Sequence, residues 1–257
     1  MSSSVELDVL YRVGNTPVRT YPFPHFYVPE VFPAPYYAEL QRNLPKPEQM
    51  KPLESRGTRG YPERSVLELT GERPEGMPEG QFAFWQGLRS WLLGGRFGHL
   101  ILQKFAPVVE PRLRDQPDML IIDEALLVHD RTRYALGPHT DSPRKVVSVL
   151  FYLPADERLA RHGTSIYVPK EAGFTCLGNA HHPFANFDRM ATMPFVPNSM
   201  FAFAKTDNSF HGVEPFDVPD AARWLLLFDL QLRQDPAAAA AAPPAPAPGQ
   251  PAVQFKF

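Results

Sequence analysis

The stretch Gly137-Pro138-His139-Thr140-Asp141-Ser142-Pro143-Arg144-Lys145-Val146-Val147-Ser148-Val149-Leu150-Phe151-Tyr152-Leu153 decides the fold. Turn signals at Gly137-Pro138 and Ser142-Pro143 bracket His139 and Asp141, and a β-branched, apolar run of strand length follows. Alternation along that run puts Ser148, Leu150 and Tyr152 on one face, with the strand's only hydroxyls. Similar short runs recur between turn signals on either side: Met119–Ile122, Ala125–His129, Thr164–Val168, Ser199–Ala204 and Trp224–Leu230. No helical pattern of ten residues separates them. That excludes a βαβ arrangement and points to an antiparallel sandwich or barrel. His139 and Asp141 then sit at a strand end or loop at the mouth of a sheet, where sites are commonly built.

Upstream the texture differs. Tyr36, Tyr37, Leu40 and Leu44 follow helical spacing after Pro35. A second helix is predicted over about Gly80 to Leu93, with Phe84, Leu88, Trp91 and Leu92 on its apolar face and Gly94-Gly95 as its stop. A third, about Arg96 to Phe105, presents Phe97, Leu100, Ile101 and Phe105 to a core. Twelve of the 30 prolines precede residue 80, so this part is expected to be loop-rich, with short helices and edge strands. The expected organisation is a helical support region over 1–110, a β core over 111–234 folding as one unit with it, and an Ala/Pro-rich tail over 235–257. The tail has too few large apolar side chains to offset its own ordering entropy and is expected to be disordered.

Composition narrows the function. The 257 residues are 44% hydrophobic and 21% charged, an ordinary globular balance that can bury a core. A net charge of -2 gives no basic field for nucleic acid. The single cysteine, Cys176, excludes an intrachain disulfide and a CxxC site, so a reducing compartment is expected. Residues 1–10 show no signal-peptide pattern, and no apolar run approaches the ~18 residues that span a bilayer. A cytoplasmic protein without a membrane or nucleic-acid partner is the expectation.

His139 and Asp141 can place an imidazole and a carboxylate on one metal, and a third ligand is needed. His211 follows the apolar run Ser199–Ala204 and a polar turn. Arg223 opens the most apolar strand, where an arginine is unfavourable unless it meets an anion. Its planar fork suits a carboxylate. Alternation places Arg223, Leu225 and Leu227 on one face.

This order of His-x-Asp, strands, distal His, spacer and strand-borne Arg resembles the Fe(II)/2-oxoglutarate-dependent dioxygenase superfamily, most closely its prolyl-hydroxylase-like branch. The match is carried by GPHTD, VVSVLFYLP, HGTSIYVP, PNSMFAF, SFHGVEP and RWLLLFDL, over roughly Met119 to Leu232. The resemblance implies a mostly β fold with N-terminal helices and a double-stranded β-helix (jelly-roll) core. It implies His139, Asp141 and His211 as the catalytic iron ligands, and Arg223 as the clamp for the distal carboxylate of 2-oxoglutarate. Tyr152 matches a tyrosine that reaches the same carboxylate. Where relatives often have a tyrosine ten residues before the first ligand, this chain has His129.

The implied reaction is hydroxylation of a small-molecule or peptidyl substrate by O2, releasing succinate and CO2, with ascorbate as an auxiliary reductant. Two imidazoles and one carboxylate suit Fe(II) on one octahedral face. They also suit zinc and water activation, and a non-catalytic jelly-roll binding module is the third reading. His181-His182 are read as a solvated turn, and Arg131 and Arg133 as a solvated strand end, rather than as substrate contacts. Substrate choice is expected in the loops Ala155–His162 and Lys170–Arg189.

Overall fold

The computed structural model describes residues 2–56, 61–114, 116, 118–218 and 221–234. The tail over 235–257 lies outside the described residues. The chain opens with α1 (Ser2–Asn15), β1 (His25–Val28), α2 (Ala34–Arg42), β2 (Lys51–Pro52) and β3 (Arg64–Glu68). Three helices follow, α3 (Glu79–Leu92), α4 (Arg96–Lys104) and α5 (Ala106–Arg114). The rest is β: β4 (Met119–Arg131), β5 (Leu136–His139), β6 (Lys145–Tyr152), β7 (Ser165–Pro169), β8 (Phe187–Thr192), β9 (Ser199–Ala204), β10 (His211–Val213) and β11 (Ala222–Gln234). No helix among the described residues is long and apolar enough to cross a membrane.

The strands form a seven-stranded sheet, ordered β1-β9-β6-β11-β4-β3-β2, and a four-stranded sheet, ordered β5-β10-β7-β8. Every pairing is antiparallel. This is the jelly-roll expected from the sequence. Period-2 alternation sorts the large sheet's side chains between two cores. Val147, Val149, Phe151, Ala202, Leu226, Phe228 and Leu230 meet the helices. Leu126, Val128, Tyr152, Phe201, Phe203 and Leu225 face the small sheet, which contributes Ile166 and Val213. A small aromatic cluster of Tyr167, Phe187 and Phe210 covers the small sheet's other face.

The helical layer is built on apolar spacing. Val5, Val9 and Val13, four apart on α1, are all buried. In α3 the buried set is Trp85, Leu88, Trp91 and Leu92. The helix is thus turned slightly from the expected face: Trp85 takes the inner position and donates to the Asn43 carbonyl at 2.7 Å, while Phe84 is only half-buried. Gly95 takes φ +87° between α3 and α4, a conformation that favours glycine.

Two runs expected to be separate strands are one. β4 continues through Asp123-Glu124 because β11 pairs with it from Met119 to Arg131. The early strands β1 and β2 lie at the two edges of the large sheet, where proline is tolerated.

Candidate metal centre

The small sheet brings two histidines face to face. His139 ends β5, His211 begins β10, and the strand register sets them directly opposite each other. Their ring centroids are 4.3 Å apart. Asp141 lies just past the end of β5. One ligand atom from each of His139, Asp141 and His211 falls within 4.8 Å of the others. Asp141 Oδ1 is 3.9 Å from His139 Nε2 and 3.9 Å from His211 Nε2.

Both imidazoles are fixed in the same way. His139 Nδ1 donates to the Gly137 carbonyl at 2.9 Å, and His211 Nδ1 to the Ser209 carbonyl at 3.0 Å. Each bond leaves the Nε2 lone pair aimed at the shared point, the arrangement that orients metal-binding histidines. Burial and the neighbouring His211 push the His139 pKa down to about 3. Burial lowers that of His211 as well. Both are therefore neutral at pH 7, as ligation requires.

The large sheet holds the carboxylate. Ser148 Oγ donates to Asp141 Oδ2 at 2.8 Å. Lys145 Nζ is 3.6 Å from Asp141 Oδ1 and 3.0 Å from Asp229 Oδ2. Burial disfavours charge on Asp141, but Lys145, the histidines and the Ser148 bond outweigh it and hold the carboxyl below its usual range. Two neutral imidazoles and one ionised carboxylate are a donor set that fits a divalent first-row metal.

The turn carrying the ligands is laced to the 174–182 segment. Thr140 Oγ1 donates to the Cys176 carbonyl at 2.8 Å, and His182 N–H to the Pro138 carbonyl at 2.9 Å. Cys176 N–H in turn donates to the Asp207 carbonyl at 2.8 Å. Gly178, at φ +136°, lies so close to the Asp141 carbonyl that any Cβ would collide with it. A cavity of about 530 Å³ opens over the ligands, lined by His139, Asp141, Tyr61, Arg64, Lys145 and His181 among others.

Arg223 and Tyr152 occupy the inner face of the large sheet, with Tyr152 opposite Leu225. Both are fully buried and neither lines that cavity. Tyr152 Oη accepts from Thr164 N–H at 3.3 Å. Arg223 lies 4.8 Å over the Phe195 ring, and Tyr152 packs on the same ring at 4.9 Å. The only hydrogen bond from the Arg223 side chain among the described residues runs from Nη1 to Asp130 Oδ2 at 3.4 Å, and its buried Nε has no partner.

His129 points away from this face and packs against Trp224 at 4.4 Å. The inward position in that row is Asp130. Arg131 reaches Glu63 and the Pro62 carbonyl, and Arg133 meets Phe216 through its backbone N–H, so neither joins the ligands. His181 is exposed, as the turn reading expects, yet its ring stacks on His139 at 4.5 Å and lies within hydrogen-bond reach of Tyr61 Oη.

Several neighbours escaped the sequence reading. Asp229, a charge inside an apolar strand, carried the same signal as Arg223. Lys145 stands four residues past Asp141. Tyr61 and Arg64 carried no local signal, because only strand pairing brings β3 to the site.

No family model and no curated protein matches the sequence. Solved structures do match in fold. The chain is similar to the epimerase SnoN in complex with Fe3+, alpha ketoglutarate and nogalamycin RO, at 14% identity over 98% of this chain and 93% of that one, with a TM-score of 0.50. It is also similar to a Pseudomonas putida prolyl-4-hydroxylase, at 14% identity over 91% and 100% of the two chains and a TM-score of 0.47. A prolyl hydroxylase from Trichoplax adhaerens, in complex with a hypoxia inducible factor peptide fragment, is similar at 12% identity, 94% coverage of each chain and a TM-score of 0.49.

Proposed function

We propose that this chain is an Fe(II)- and 2-oxoglutarate-dependent oxygenase that hydroxylates a small-molecule or peptidyl substrate and releases succinate and CO2. The observation that carries the reading is the buried His139, Asp141 and His211 set, with both Nε2 atoms turned toward one carboxylate oxygen. Bound iron and 2-oxoglutarate would supply O2 activation and oxidative decarboxylation. The protein's part is binding, orientation and exclusion of water. The Gly137 and Ser209 carbonyls fix the imidazole tautomers, and Ser148 and Lys145 hold the Asp141 carboxylate ionised and in place. Arg223 is proposed to take the distal carboxylate of 2-oxoglutarate. Its buried, unpartnered Nε supports this, since such a donor is costly without an anion. Tyr152, on the same face, is the second candidate for that carboxylate. The substrate would enter through the cavity beside Tyr61 and His181.

A cytoplasmic location fits the single cysteine. We keep 111–234 as the catalytic core and 1–110 as its support. One apolar cluster containing Val9, Trp85, Phe151 and Phe228 supports their folding as a unit.

The test is succinate release with Fe(II), 2-oxoglutarate, O2 and ascorbate. Uncoupled turnover is expected without added substrate. His139→Ala and Asp141→Ala should each reduce it to background while thermal melting stays cooperative. Wild-type turnover in either variant would overturn the assignment. No succinate release from a protein that binds zinc at this site would favour hydrolysis, and no succinate release with no bound metal would favour a binding module.

A further inference from the structure

Three adjacent strands carry a row of buried charge on one register. Arg64 of β3 and Arg223 of β11 each lie directly opposite Asp130 of β4. Asp130 is fully buried, Arg223 is fully buried, and the Arg64 side chain is 15% exposed. The two arginines do not share Asp130 equally. Arg64 grips it with both edges of its fork, Nε to Oδ1 at 2.6 Å and Nη2 to Oδ2 at 2.8 Å. It is braced from the other side by the Tyr134 ring, 4.2 Å from its guanidinium carbon. Arg223 has only the long 3.4 Å contact to Oδ2.

We infer that Arg64 is a positioning residue that occupies Asp130 and so keeps the Arg223 guanidinium available for the carboxylate of 2-oxoglutarate. The inference rests on the oxygenase reading above. Its physical basis is competition. An aspartate opposite a buried arginine would close into a bidentate pair with it, the strongest geometry open to both. That pair would be neutral and would have no fork left for an incoming anion. Two arginines and one carboxylate leave the row with one net positive charge, and that charge lies on the arginine with the unpartnered Nε.

The charge count gives the experiment. Arg64→Met leaves Asp130 free to pair with Arg223, so the row becomes neutral. Arg64→Met with Asp130→Asn restores one net positive charge and frees Arg223. Anaerobic titration of 2-oxoglutarate into the Fe(II) protein, followed by the charge-transfer absorption, reads affinity without turnover. Arg64→Met should weaken binding on the order of 30-fold, as expected for losing charge-assisted bonds in a buried site. The double variant should recover to within about threefold of wild type, since the competitor is gone. Arg64→Lys, the milder change, should fold and fall between, because a point charge grips Asp130 less firmly than a fork. Fe(II) affinity should be unchanged in all three.

Wild-type affinity in both Arg64→Met and Arg64→Lys would overturn the inference. So would weak binding in Arg64→Met that the double variant does not rescue, because Arg64 would then act by direct contact or by structure alone. Failure of the wild type to bind 2-oxoglutarate would sink the oxygenase reading instead.

Discussion

The seven-stranded sheet is buried on both faces, by the helices on one side and by the second sheet on the other. Behind the four-stranded sheet, among the described residues, lie only a few aromatic side chains, loops and the single 3-10 turn Phe184–Asn186. Yet both candidate histidine ligands, His139 and His211, stand on the thinner sheet, on strands of four and three residues. Their orientation comes from local bonds to carbonyls two residues back. Asp141, by contrast, is held by Ser148 and by Lys145, which Asp229 anchors in turn, all from the larger sheet. The charged row of Arg64, Asp130 and Arg223 belongs wholly to that larger sheet. The difference teaches that the well-packed layer fixes the ionic geometry, while the lighter one carries the imidazoles to it.

The hardest test of that contrast is the core of the larger sheet. Phe151 is fully buried, stacks on Phe32 at 5.4 Å and packs at a tilt against Phe97 at 5.8 Å, tying strand to helical layer. Phe151→Ala should cost about 3–5 kcal/mol in urea unfolding, through lost burial and the cavity left behind. A loss under about 1 kcal/mol would mean that the helical layer is not integral to the fold.

A smaller effect probes the link between the sheets. Ser148→Ala removes the 2.8 Å bond to Asp141 and leaves the histidines untouched. Loss of such an outer partner typically weakens metal binding about 10–100-fold. Competition with a chromogenic chelator measures it. An unchanged affinity would show that the small sheet builds the site unaided.

Acid sensitivity is the mildest test. Burial lowers the pKa of His25 on β1 and of His129 on β4. Above about pH 6.5 both are neutral whether folded or unfolded, so they contribute no pH dependence. As pH falls below that point the unfolded chain takes up protons that the fold resists. Stability should therefore decline until pH passes the lowered folded values. The drop in unfolding free energy between pH 8 and pH 5 should be smaller in His25→Gln and His129→Gln than in wild type. Equal drops in all three would move the sensitivity out of the larger sheet.

The same division explains what could be read from the sequence. β6, β9 and β11 announce themselves because long pairing partners require long apolar runs. His139, Asp141, His211 and Arg223 were legible as polar residues at the ends of such runs. β5 and β10 were not, since strands of four and three residues carry no measurable period. α1 carries little local signal: Val5, Val9 and Val13 have helical spacing, but β-branched valine is a weak helix former and the first turn has no acidic residue. His129, which stands where relatives often have a tyrosine, packs against Trp224, and its neighbour Asp130 faces the charged row instead, because one residue along a strand reverses the face. Arg64 and Tyr61 depend on a chain reversal of more than sixty residues, which no local pattern encodes.

The lacing of the 174–182 segment around the turn that carries His139 and Asp141 has a bearing on where the sequence can change. Gly178 tolerates no side chain against the Asp141 carbonyl, and the Cys176 and His182 backbones are each spoken for. Insertions there would drag His139 or Asp141 out of place. The loop at 155–162 has no such ties to the ligand turn among the described residues. Length changes and new side chains can accumulate in it without disturbing His139, Asp141 or His211. On the oxygenase reading proposed above, new substrate preferences should therefore be sought by varying 155–162 and not the segment that straps His139 and Asp141.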